Sequence, residues 1–572
     1  MSMNKLSLAD LAEIRKSSII FGTENEKNKI RLLESLKLRS ASSARRLNQY
    51  QHALLFLSAY PDSEEIQALV SNELLRINNL ASGIIKKSKQ SKQDTFSGTG
   101  LRSSYFIGSF SHDICLWLYN TYPECVSFHS YGDSERSPQE IFSLFLLPSE
   151  NWLLENPDMP MKKWVKAAGA KNQSSSLEWI LKEMTQPNLP HAIKDLLFDS
   201  LQLYITFEIK DQHNALSLIR SSKGKYFFHR DKLIKSINIK VILKKNIPRP
   251  LNLNEEDRKD FIRSARFALM HLSRETDTVS YCHPEGIEVF DLDRGFSIAL
   301  FNLPPDRRNA IDSYIGYMIY KNRIPCGYGG AWIFGDKAKV GLNIFPTFRG
   351  GESAFLFSQI LRLYKNRFRL KYFEAEPYQI GLHNPEGIAS GAFWFYYKLG
   401  FRPQQNELRK IADKEYEKIE KNKKHRTTAT TLISLAKSFM FLDCKNPGNT
   451  LEDVIPDSIN VSKVISGIIA EDFKGDRALA LEYFRKDVDK KTGIISKNLR
   501  TPHEKTMYEA MLPLLFLLCK DLTLDKNQKN MLLQLVRTKA EDTEFSYTQK
   551  TIQIQKWLNR SLKQSKPWPE EA

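Results

Sequence analysis

The chain has 572 residues, 41% hydrophobic and 11% aromatic, too apolar for a disordered polymer and long enough for about three to four domains. Its 84 basic and 66 acidic residues leave a net charge of +18, spread along the sequence, which reads first as solvated surface and second as attraction to an anionic ligand, nucleic acid or lipid. Six cysteines without C-x-x-C or metal-ligand spacing, no apolar signal core, and a longest apolar run of only residues 511–519 predict a cytoplasmic chain with packed thiols, no metal and no membrane insertion.

Residues 1–95 are expected to be helical. Amphipathic stretches fall at 32–38 and 51–60, and Tyr60-Pro-Asp-Ser63 reads as a turn and N-cap before a helix over 64–77. A basic run at 86–93 and Ser97-Gly-Thr-Gly100 form a connection; the latter lacks the lysine and preceding strand of a phosphate loop. Residues 96–250 read as a mixed α/β accessory domain, with helices at 109–121, 178–184 and 191–207 and a lysine-guarded edge strand at 235–244. His112, Asp113 and Cys115 share one helix, whereas a catalytic triad needs convergence from distant segments. Ile247-Pro-Arg-Pro250 ends the unit.

From Asn254 the pattern changes. Asn254 and Asp257 predict a capping box for a helix whose inner face carries Phe261, Ala265, Ala268, Leu269 and Leu272. A hairpin is expected over 287–290 and 296–303, then three β-rich runs at 314–320, 324–334 and 338–344. Next comes Asn343-Ile-Phe-Pro-Thr-Phe-Arg-Gly-Gly-Glu-Ser-Ala354, where the apolar period switches to helical and a helix is predicted over about 351–366. A strand feeding a Gly-rich turn and a helix start gathers unpaired N–H groups and the positive end of the dipole, which suits phosphate. A strand at 372–376, a loop at 377–387 and a helix at 388–398 follow, with Gly400 as its C-terminal stop in Tyr396-Tyr-Lys-Leu-Gly-Phe401. Residues 405–427 form a charged helix or linker. Residues 428–572 read as a C-terminal all-α domain, with helices at 431–441, 462–473, 478–483, 508–522, 530–536 and 551–562, available to a protein partner.

Residues 315–403 resemble the core of the GNAT superfamily of acyl-CoA-dependent N-acyltransferases: three strands, an Arg-Gly turn, a helix, a strand, and a helix ending in Tyr-x-Lys-Leu-Gly-Phe. The resemblance implies a mixed-sheet α/β domain over 254–404, flanked by the N-terminal helical and mixed units and the C-terminal helices. It further implies acetyl-CoA or another acyl-CoA as donor and a primary amine as acceptor, whether a small molecule, a protein or an aminoacyl-tRNA. By resemblance Tyr396 donates a proton to the departing sulfur, and a backbone amide of the strand ending at Ile344 and Phe345 polarises the carbonyl. Arg349, Gly350, Gly351, Glu352, Ser353 and Ala354 meet the pyrophosphate. The family's usual loop is Arg/Gln-x-x-Gly-x-Gly/Ala, so Glu352 stands where glycine is usual; it either opposes the phosphate or turns away to serve the helix dipole. The family often has Asn seven residues before the tyrosine; that place is Ala389 here, and the nearest Asn is Asn384. Glu374 and Glu376 share one face of their strand and His383 follows, so these three are candidates for the base and for holding a cationic amine. Two alternatives stand beside this reading: a non-catalytic binding or regulatory protein in which Glu352 blocks phosphate, and an acyltransferase with an aminoacyl or carrier-bound donor.

Overall fold

The computed structural model describes residues 5–41, 43–154, 159–168, 172–185, 189–449, 457–493, 495–520 and 523–564. The predicted positions 521–522 lie outside these.

Four apolar clusters form, one in the N-terminal helices, one in the accessory unit, one around a large sheet and one in the C-terminal helices. The N-terminal helices Leu8–Ser17, Thr23–Lys37, Ala44–Ala59 and Glu64–Lys86 include the expected cap, the Ser63 hydroxyl accepting from the Ile66 amide. The accessory unit holds a three-stranded antiparallel sheet of β1 (Tyr105–Ser109), β2 (Val126–Tyr131) and β3 (Leu203–Glu208), with β3 in the middle. The expected helix over 191–207 stops at Ser200. Gln202 turns the chain at φ 45°, and Leu203, Ile205 and Phe207 then alternate inward as a strand requires. His112 and Cys115 are buried on their helix, and burial drives the Cys115 thiol far up, so it is no nucleophile.

The central sheet contains β4 (Ile287–Asp291), β5 (Phe296–Asn302), β6 (Ser313–Lys321), β7 (Ile324–Phe334), β8 (Lys337–Ile344), β9 (Tyr372–Ala375), β10 (Arg402–Pro403) and β11 (Met440–Asp443). Its spatial order is β10-β11-β9-β8-β7-β6-β5-β4, antiparallel except for the β8/β9 pair. β11 corrects the expected helix over 431–441 and the all-α reading of 428–572. The helix there covers only Ala429–Leu435, and Met440–Asp443 then fills the place between β9 and β10, buried on both faces as a central strand demands.

Helix Asn254-capped Glu255–Met270 covers the β6 face that carries Tyr320: the Phe261 ring meets the Tyr320 ring edge-on, and the two hydroxyls of Ser264 and Tyr320 lie 2.9 Å apart. Helix Ser353–Phe368 covers the other face, where Tyr364 meets Tyr317. Its buried Phe355, Leu356, Phe357, Ile360, Leu361 and Leu363 each contribute about 1.5–3 kcal/mol by burial. The expected edge strand at 235–244 is instead a helix, Ile239–Lys244. Asn238 caps it through the Val241 amide, and Ile239, Ile242 and Leu243 supply an i, i+3, i+4 face that docks against Ser353–Phe368. The expected helix over 388–398 is two, Pro385–Ser390 and Ala392–Lys398, broken at Gly391 with φ 69°. The charged segment after it is the helix Asn406–Lys421, whose Tyr416 packs on Trp394 and Tyr397.

Candidate active site

β8 and β9 pair over three positions only, Lys337 with Tyr372, Ala338 with Phe373 and Lys339 with Glu374; β9 then ends while β8 runs on to Ile344. The Phe345 amide donates to the Cys326 carbonyl at 3.0 Å, which sets the phase of the antiparallel β7/β8 ladder. Odd-numbered residues of β8 bond to β7, so the peptide groups of Leu342 and Ile344 face the side that β9 has left. A cavity of about 310 Å³ lies there, walled by Leu342, Asn343 and Ile344 and by Phe395 and Tyr396, with Ser353, Arg349, Gln379, Asn384 and Glu386 around it.

Tyr396 sits in an aromatic nest of Phe357, Phe395 and Phe401, with ring centroids 5.3–5.6 Å away. Burial pushes its phenol well above the ordinary value, which keeps the hydroxyl protonated and able to donate.

The turn before helix Ser353–Phe368 has Gly350 at φ 91°, and Gly351 so close to Tyr60 that a Cβ would lie 2.5 Å from its hydroxyl. Glu352 is the N-cap residue but offers no side-chain cap. Leu356 makes the first helical bond, to the Glu352 carbonyl at 2.8 Å, and the amides of Ser353, Ala354 and Phe355 have no partner among the described residues. Ser353 faces the first cavity and Ala354 a second, of about 790 Å³, which shares Ser390 and Phe395 with the first. The second carries Lys235, Lys398, Lys423 and Arg426 against the one carboxylate of Glu420, beside Trp394 and Tyr416. Among the described residues, a gap that strand amides face, a helix start and a cationic, aromatic chamber thus follow one another along one groove.

Several expected site residues fall elsewhere. The Glu352 carboxylate is fully buried, away from the groove: Oε1 accepts from Arg294 at 2.7 and 3.1 Å and from the Ile234 amide at 3.0 Å. It neither meets nor blocks phosphate, because the inner position already holds its cationic partners. Glu374 is buried between Lys337 at 3.0 Å and Lys339 at 3.9 Å, and half-exposed Glu376 pairs with Lys339 at 3.3 Å. Glu374 stands on the last paired rung of β8/β9 and Glu376 just beyond β9, both turned to Lys339, and only Glu376 touches a separate cavity of about 150 Å³. His383 is exposed at φ 55° and lines neither cavity of the groove. Phe345 spends its amide on Cys326, so Ile344, not Phe345, presents an N–H to the gap. Asn384 lines the first cavity while capping the next helix through the Gly387 amide, and Arg349 pairs with Glu386 at 2.5 Å at the exposed mouth. The backbone of Gly350 and Gly351 lies in the turn as expected, and Lys235 donates to both of their carbonyls.

Sequence reasoning missed Lys235, Lys398, Lys423, Arg426 and Glu386, while Leu342 falls within the strand 340–345 expected to supply the amide. The run Lys423-Lys-His-Arg426 was a legible basic signal, whereas Lys235 comes from a segment whose fold had been misread. Among the described residues no group of three His, Cys, Asp or Glu side chains could hold a metal, and no helix is long and apolar enough to cross a membrane. No protein-family model matches the chain, and neither does any curated protein or solved structure compared with it.

Proposed function

We propose that the chain is a GNAT-like N-acyltransferase that moves an acyl group from an acyl-CoA thioester to a primary amine. The observation that carries this reading is the parting of β8 from β9 beside Tyr396, with the uncapped start of helix Ser353–Phe368 on the same groove. The amine nitrogen attacks the thioester carbon, and the oxyanion is met by an amide of Leu342 or Ile344. The carbon–sulfur bond breaks, and the thiolate takes the Tyr396 hydroxyl proton. The amine's proton leaves to water at the open mouth, since Glu374 and Glu376 are held by lysines and line neither cavity of the groove. The donor's pyrophosphate fits the free amides of Ser353 and Ala354, and its phosphorylated adenosine end fits the cationic chamber with Trp394 and Tyr416. The non-catalytic alternative takes Glu352 to block phosphate, and that side chain points into the protein.

Calorimetric titration of the full chain with acetyl-CoA tests the reading. Micromolar binding, followed by turnover in an amine screen, is the expected result. No heat with acetyl-CoA or any longer acyl-CoA would overturn it.

A further inference from the structure

We infer that Glu352 and Tyr60 are positioning residues for the donor site, and that the N-terminal helical region is part of that site. This rests on the acyltransferase reading for its ligand, and on geometry for the rest. The turn from Gly350 to Glu352 has little of its own to hold it: one internal bond, from the Gly351 amide to the Phe348 carbonyl at 3.1 Å, and two glycines that add conformational freedom. Four other parts of the chain hold it. Tyr60, at the end of helix Ala44–Ala59, accepts from the Glu352 amide at 3.4 Å and fills the space over Gly351. Lys235 donates to the carbonyls of Gly350 and Gly351. The Glu352 side chain runs inward to Arg294, in the β4–β5 turn, and to Lys321, at the end of β6, 3.8 Å from its Oε2.

These contacts form one buried cluster. Lys321 lies 5.0 Å from the centre of the Tyr60 ring and 4.6 Å from that of Phe296, and donates to the Arg294 carbonyl. A cluster that takes a carboxylate and two cations out of water is costly to form and strongly specified once formed. It sits directly beneath the turn whose next amides are unpaired. Glu352 therefore replaces the usual glycine with an anchor: it fixes the turn by its side chain and leaves the backbone free on the outer side. Tyr60 and the neighbouring 2.7 Å contact between His52 Nδ1 and Thr347 Oγ1 brace the same loop from the N-terminal helix. Neither Tyr60 nor Glu352 reaches the reacting atoms, so both act on donor affinity and not on the chemical step.

The test uses the full-length chain with Tyr60→Phe and Glu352→Gln. Without ligand, amide hydrogen exchange at Gly351, Glu352 and Leu356 should quicken about tenfold in each variant, with the C-terminal helices unchanged. With acetyl-CoA, Kd and KM should rise about tenfold while kcat at saturating donor stays within about twofold. Unchanged exchange in the turn overturns the inference, as does faster exchange with unchanged Kd, or a fall in kcat at constant KM. If wild-type protein binds no acyl-CoA, the acyltransferase reading fails separately, and the exchange measurement alone decides whether these residues set the turn. Should Glu352→Gln fail to fold, Tyr60→Phe, which removes one hydroxyl, carries the decision.

Discussion

The two ends of the β8/β9 pair are built from the same strands and do opposite things. Along the joined stretch Lys337 and Lys339 pair with Glu374 across the parallel strands, and Glu376, just past β9, adds a further pair to Lys339. At the parted end the strand side chains are Leu342, Asn343 and Ile344, peptide groups face a cavity, and the Tyr396 phenol lines it with Glu386, a carboxylate already paired with Arg349. The charged end attracts attention in the sequence, yet its charges are spent on one another. The open end is chemically sparse, and that leaves backbone amides unclaimed for a ligand.

The comparison can be broken most sharply at Tyr396. Tyr396→Phe keeps the ring packing and removes the proton donor, so kcat should fall at least about 100-fold with donor affinity unchanged, read by steady-state kinetics. A fall of less than threefold would sink its role as acid. At the joined end, Glu374→Ala removes the carboxylate between two lysines in a buried site and should cost about 3 kcal/mol in denaturant unfolding, with turnover per folded molecule unaffected. A loss of turnover larger than the loss of folded protein would return Glu374 to the chemistry.

A third prediction concerns pH. Burial, reinforced by Lys321 and Arg294, pulls the His229 imidazole down to about 2. The folded state thus binds fewer protons than the unfolded one between about pH 2 and 6.5. Stability should fall as pH drops below 6.5, by up to about 1.4 kcal/mol per pH unit from this group. Unfolding midpoints of His229→Gln should show a shallower acid limb. Arg349→Ala removes an exposed cation at the cavity mouth and should weaken acetyl-CoA binding only about threefold to fivefold by calorimetry. Smallest of all, Glu376→Ala should change stability by less than about 0.5 kcal/mol and activity not at all, because the Glu376 carboxylate is half in solvent and Lys339 keeps Glu374 as a second partner.

The strand series from 287 to 344, the helix after Ser353 and the Tyr396 motif were legible because each has a strong local period and a turn residue at its end. Asn254 and Asp257 announced their helix by chemistry that acts within one turn. The misreadings share a cause. Residues 239–244 alternate and repeat at i, i+3 equally well over so short a run, and the Asn238 cap decides for helix. Met440–Asp443 is three apolar residues and an aspartate after a helix, and only the vacancy between β9 and β10 makes it a strand.

By itself, then, the sequence determined the strand series from 287 to 344, the glycine-rich turn and the presence of an aromatic motif ending at Phe401. The tertiary structure alone decided which groups are free. Glu352 became an anchor because Arg294 and Lys321 arrive from two hairpin ends, and Glu374 became a strut because Lys339 lies across from it and Lys337 reaches it diagonally. The amides of Leu342 and Ile344 stayed open because β9 stops after Ala375. Charge and hydrogen-bonding capacity are properties of a residue, but whether they are already satisfied depends on neighbours that are distant in the chain.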